Sequence, residues 1–118
     1  MYKRQLLSQD RLLEVMQPND IVLTAYAPLA QGRLASDPRV GAIAERHGVT
    51  AAQVALAWLL RQDGVNAIPK ASRPETQKAN LEALALAAKL TETDVAEIDA
   101  LPKDQRFVNP PFAPDWAA

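Results

Sequence analysis

Lys70, Ser72 and Arg73 fall within four residues, directly after the apolar run Val65 to Ile68 and directly before a helical pattern. Two cations and a hydroxyl at the junction of a strand and a helix are the residue types of a phosphate site. A helix N-terminus exposes N–H groups without intrahelical acceptors and carries the positive end of the helix dipole, so anions settle there. Lys70 adds a mobile point charge, Ser72 a donor, and Arg73 a planar fork matched to phosphate oxygens. The same three residues have a purely structural reading, in which Ser72 caps the helix and the cations are solvated. Tyr26, near the end of an earlier apolar run, offers an aromatic face suited to a flat heterocycle, or else a core ring with a satisfied hydroxyl. His47, the only histidine, stands at a helix end where the dipole favours its cation. The sequence offers it no partner that would make it a base. No metal site is expected, because the chain has no cysteine and no ligand cluster.

The elements that must hold these residues read as follows. Ser8 is a good N-cap for a first helix, with Leu12, Leu13 and Met16 on one face. The stretch QPND ends it, and IVLTAYAPL follows as an uncharged, β-branched and aromatic run expected to be a strand buried on both faces. After a loop with Gly and Pro punctuation, Asp37 and Pro38 open a helix through RVGAIAERH, which Gly48 stops. Thr50 and Gln53 form a capping box for AAQVALAWLLRQ, a helix apolar nearly all round and therefore buried. VNAIP is the second strand. Ser72 and Glu75 read as another capping box, so a helix is expected from about Arg73 to Leu86. Thr91 and Asp94 start a last helix, closed by Pro102, and residues 103–118 are expected to be an irregular tail.

Strands alternating with helices define an α/β protein with a parallel sheet and right-handed crossovers. Only two strands are convincing, with a third possible in residues 1–6, and a sheet of two leaves both edges open. The 118 residues read as a single domain, 1–118, that is part of a larger βα architecture. Its 48% apolar and 23% charged residues are those of a soluble protein, and a net charge of −1 speaks against a nucleic-acid partner. No apolar run is long enough to span a membrane, so a cytoplasmic location is expected.

Two segments carry a family resemblance. IPKASRPETQKANLEAL resembles the aldo-keto reductase segment written IPKS-x-x-P-x-R-x-x-E-N, and VLTAYAPLAQGRL resembles the tyrosine-containing strand and small-residue loop that precede it. VTAAQVALAWLLRQ is similar to the helix between them, and the likeness covers about residues 7–118. The tail RFVNPPFAPDW is most similar to the bacterial diketogluconate and methylglyoxal reductases.

The resemblance implies the C-terminal part of a (β/α)8 barrel, about its last two to three βα units with an extra helix and tail. A complete barrel needs about 250 residues. It implies NADPH as cofactor, with Tyr26 against the nicotinamide and Ala27, Leu29 and Gln31 along the phosphates through backbone groups. Lys70 would meet the adenosine 2′-phosphate and Asn80 the adenine, with Ser72 and Arg73 completing the anion site. The family's arginine and glutamate are replaced by Thr76 and Ala79, which leaves NADH open as an alternative cofactor. The family's catalytic residues lie in the first half of the barrel, so none is assigned here. The chain alone is expected to be inactive as a reductase. Phe107, Phe112 and Trp116 would form one wall of a substrate pocket, or simply pack the tail. The partners implied are the nicotinamide cofactor and either a chain supplying the N-terminal half-barrel or a second copy paired through open sheet edges. Rival readings are a non-catalytic nucleotide-binding or interaction module and, more remotely, a helix-turn-helix DNA reader, since IAERHGVTAAQVALAWL resembles that motif.

Overall fold

The computed structural model describes residues 10–29 and 34–101. Helix α1 spans Asp10–Met16, and strand β1 is Leu23–Ala25. Helices α2, Pro38–His47, and α3, Ala51–Leu60, lead to strand β2, Val65–Ala67. Helices α4, Pro74–Ala87, and α5, Glu92–Asp99, follow. Short 3₁₀ turns occupy Gln17–Asn19 and Leu34–Ser36. The expected Ser8 cap, the possible strand in residues 1–6 and the tail at 103–118 lie outside the described residues.

β1 and β2 pair in parallel, Leu23 with Val65, Thr24 with Asn66 and Ala25 with Ala67. The α/β reading with a parallel crossover through α2 and α3 is therefore met. The first strand is shorter than its apolar run. Leu23 and Ala25 are buried, but Ile21 and Val22 stay 51% and 58% exposed, so burial on both faces does not hold along the run. A sheet of two strands has too few neighbours to cover both faces.

The helical ends follow local chemistry. Asp37 accepts from the Arg39 amide at 2.9 Å with Pro38 in the first turn, and Gly48 closes α2 in the left-handed region at φ 64°. Thr50 with Gln53 and Thr91 with Asp94 both form reciprocal capping boxes. The expected box of Ser72 and Glu75 is absent. Arg73 is the N-cap of α4, extended at φ −96°, and no side chain caps it. Pro74 accounts for this. It disfavours helical geometry at the residue before it and has no N–H, so the helix starts one residue later than a Ser72 cap requires.

α3 is the buried axle. Val54, Ala55, Leu56, Ala57, Trp58 and Leu59 are all buried, and all but Leu56 belong to one core cluster with Ile43, Leu86 and Ile98. That burial rules out the helix-turn-helix reading, since the second helix would have to enter a groove of DNA with this same surface. His47 also differs from expectation. Its Nε2 lies 2.7 Å from Oδ2 of Asp94, and Arg46 donates to Oδ1 of Asp94 at 2.6 Å and to Glu97 at 2.9 Å. Burial alone would raise the Asp94 carboxyl. The bonds from His47, the Thr91 backbone and Arg46 outweigh that and hold it well below the usual carboxylate range.

Candidate functional site

The parallel register brings the C-terminal ends of β1 and β2 side by side. The Ile68 amide donates to the Ala25 carbonyl at 3.1 Å, so Tyr26 leaves β1 next to the point where Ile68 leaves β2. In open parallel sheets this end is where ligands bind, because the loops there feed helix N-termini. The register thus brings Tyr26 and the start of the Lys70–Arg73 segment to the same end of the sheet.

Each has a definite place. Tyr26 is half-buried with its hydroxyl shielded from solvent, and burial pushes the phenol up, so it stays neutral. Ala27 is half-buried beside it, and Leu29 packs against the core. Gln31 lies outside the described residues. On the other segment Lys70, Ser72 and Arg73 are exposed, and none of their side chains makes a hydrogen bond or ion pair among the described residues. The structural reading of Ser72 as a helix cap therefore fails, while the solvated-cation reading of Lys70 and Arg73 describes their present state. Asn80, two turns into α4, is half-buried and lines an open groove of about 320 Å³ together with Pro69 and Gln77.

The loop is held from behind. Gln77 donates through Nε2 to the Ala71 carbonyl at 3.1 Å, and its amide donates to the Arg73 carbonyl at 3.0 Å, closing the first turn of α4. The amides of Glu75 and Thr76 have no acceptor within the helix. This end therefore combines two cations and a hydroxyl without side-chain partners among the described residues with two helix-terminal amides. It is equipped to receive an anion, with an aromatic ring delivered at the neighbouring strand end. Gln77 went unnoticed in the sequence, where it looks like one more polar helix residue; only its reach back over the loop marks it. Among the described residues no group of three or more His, Asp or Glu side chains could hold a metal ion.

Comparison with known proteins agrees with this arrangement. Residues 2–103 match the model of the aldo/keto reductase family, and the chain belongs to that family. It is 38% identical over 114 residues to the methylglyoxal reductase DkgB of Yersinia pestis, covering 94% of this chain and 41% of that protein. It is 36% identical to the aldo/keto reductase slr0942 of Synechocystis, across 90% of this chain and 35% of the relative. A crystal structure of a putative 2,5-diketo-D-gluconic acid reductase B superposes with a TM-score of 0.84 at 35% identity, over 97% of this chain and 41% of its own. A Gox0644 mutant solved in complex with NADPH superposes at 0.72 with 35% identity, over 80% of this chain and 34% of its own. The chain thus spans about two fifths of the length of the relatives it matches.

Proposed function

We propose that the chain is the cofactor-binding, C-terminal portion of an aldo/keto reductase barrel, and that its ligand is NADPH. One observation carries the reading: the parallel pair delivers Tyr26 and the Lys70–Arg73 loop to the same end of the sheet, with Lys70 and Arg73 unpaired among the described residues. A solved relative that shares the fold holds NADPH. In this reading the neutral Tyr26 ring lies against the nicotinamide, and backbone groups of Ala27, Leu29 and Gln31 follow the phosphates. Lys70, Ser72 and Arg73 meet the 2′-phosphate, and Asn80 meets the adenine. With Thr76 where the family has arginine, Arg73 is the remaining fork for that phosphate, so NADH is bound more nearly as well as NADPH.

In the completed fold, NADPH held by Tyr26, Lys70, Ser72 and Arg73 would supply the hydride for reduction of an aldehyde or ketone, with the proton donor lying outside this chain. This chain carries no catalytic set and does not reduce carbonyls alone. Its setting is the cytoplasm, in keeping with the absence of cysteine. Among the described residues no helix is long and apolar enough to cross a membrane. Isothermal titration of the purified chain with NADPH and, in parallel, with NADH tests the proposal. Saturable binding of NADPH is expected, with no turnover of methylglyoxal. Absence of binding to the chain and to any complex it forms overturns the cofactor assignment.

A further inference from the structure

The connector from β2 to α4 is pinned at its two ends and at one point between. At its start the Ile68 amide still joins the sheet, donating to the Ala25 carbonyl at 3.1 Å. Pro69 and Pro74 then bracket the loop. Each fixes its own φ, and neither has an N–H. Pro74 also holds Arg73 extended, at φ −96° and ψ 137°. The backbone freedom that remains lies in Lys70, Ala71 and Ser72. Among the described residues one hydrogen bond reaches these three, from Nε2 of Gln77 to the Ala71 carbonyl at 3.1 Å. It takes hold at the middle residue. Gln77 is itself set by α4, since its amide donates to the Arg73 carbonyl at 3.0 Å.

We propose that Gln77 is a positioning residue for cofactor choice: without touching the nucleotide, it sets how strongly the Lys70–Arg73 loop favours a 2′-phosphate. The inference rests on the cofactor reading above. Its physical basis is the planar trans peptide. With the Ala71 carbonyl held toward Gln77, the N–H of the same peptide, that of Ser72, points the opposite way. The bond therefore narrows ψ of Ala71 and φ of Ser72, the two torsions that flank this peptide plane. Lys70 and Ser72 stand on either side of it. A loop with these torsions unrestrained would have to be ordered when the anion arrives, and that ordering weakens binding. In the folded chain Gln77 has already ordered it. The bond is exposed, so water competes for it and its effect is that of one neutral hydrogen bond. The loop meets the part of NADPH that NADH lacks, so the effect falls on the choice between them.

The test uses two variants of the chain. Gln77→Met keeps the side-chain length and removes the donor, and Gln77→Glu keeps the shape with a carboxylate that can only accept. Loop order is read first, without ligand, from NMR relaxation of the Lys70 to Arg73 amides. Order parameters of about 0.85 in the parent should fall toward about 0.6 in both variants. Gln77 is exposed, so Tm should stay with the parent's and exclude misfolding as the cause. Titration of the parent and of Gln77→Met with NADPH and NADH is the second reading. Affinity for NADPH should fall about fivefold and affinity for NADH less than twofold. A loop that stays ordered in either variant overturns the proposal, as does a loosened loop with NADPH affinity unchanged. Equal losses for the two nucleotides also overturn it, because Gln77 would then act on something they share. A parent chain that binds neither nucleotide removes the cofactor reading and this inference together. A parent that binds NADPH, with any of the failures above, removes the inference alone.

Discussion

The two sides of the molecule are finished to different degrees. On the helical side, α2, α3 and α5 are tied by polar bonds between residues far apart in sequence. Arg46 and His47 reach Asp94, the Trp58 indole donates to Asp99 at 3.1 Å, and Arg61 donates to the Leu90 carbonyl at 2.6 Å. Ile43, Val54 and Ile98 beneath them are essentially inaccessible. On the strand side the sheet has two strands, and Ile21, Val22, Ile68, Leu81 and Leu84 lie on the surface. Lys70, Ser72 and Arg73 there make no side-chain bonds among the described residues. The helical side satisfies itself, whereas the strand side holds its polar groups and its apolar surface ready for something else.

The most forceful way to break that contrast is to remove aliphatic carbons from each side. Ile43→Ala should cost about 2–5 kcal/mol, because a cavity opens in a closed core. Leu84→Ala, which removes as much hydrocarbon from an exposed site, should change stability by no more than about 0.5 kcal/mol. Urea denaturation of both variants checks the difference. Similar losses would mean that the strand side is already covered.

Asp94 comes next, since it serves as capping residue for α5 and as acceptor for two cationic or polar side chains from α2. Asp94→Ala should destabilise by about 2–3 kcal/mol through the lost cap and the lost charged acceptor. The pH dependence follows from the direction of its shift. The folded carboxyl titrates below its unfolded value, so its contribution is complete above about pH 4 and is lost as pH falls toward the folded pKa. Asp94→Asn should therefore flatten the acid limb of a stability–pH curve. An unchanged limb would show that other carboxylates dominate.

How far the sequence made these two sides legible depends on the range of the interaction. Thr50 with Gln53, Thr91 with Asp94, and Asp37 with Pro38 were readable because each cap is settled within three residues. AAQVALAWLL, apolar nearly all round, was readable as buried because no face of it suits water. The bond between His47 and Asp94 joins residues 47 apart, and Asp94 was visible only as a cap, so no local spacing could reveal its second role. The exposure of Ile21 and Val22 was equally hidden, because an apolar run reports what a strand can bury and says nothing about whether neighbours are present to bury it. Tyr26 and Lys70 were found as types, and their convergence needed the register of the sheet.

A smaller effect sharpens the strand side itself. Lys70→Met should weaken NADPH binding by about tenfold through loss of one charge-assisted contact, and leave NADH binding within about twofold. Since the side chain is exposed and unbonded among the described residues, stability should not move. Equal losses for both nucleotides would show that Lys70 meets no 2′-phosphate, and titration of the variant against both cofactors decides it.

The finest distinction lies between two hydroxyls that look alike in sequence. Thr50 and Ser72 each precede a helix by a short step and each is followed three residues on by Gln or Glu, so both carry the signature of a capping box. Thr50 accepts from the Gln53 amide at 3.2 Å and its own amide donates back to the Gln53 Oε1 at 3.0 Å, whereas α4 begins after Arg73 and leaves Ser72 outside the cap. Thr50→Ala should accordingly cost about 1 kcal/mol, and Ser72→Ala less than about 0.3 kcal/mol. The same Ser72→Ala chain should bind NADPH several-fold more weakly, by about one neutral hydrogen bond. A stability loss at Ser72 comparable to that at Thr50 would return it to the helix. Loss of binding with stability intact would assign the hydroxyl to the ligand, which is the use left open by a serine that caps no helix and stands beside two cations unpaired among the described residues.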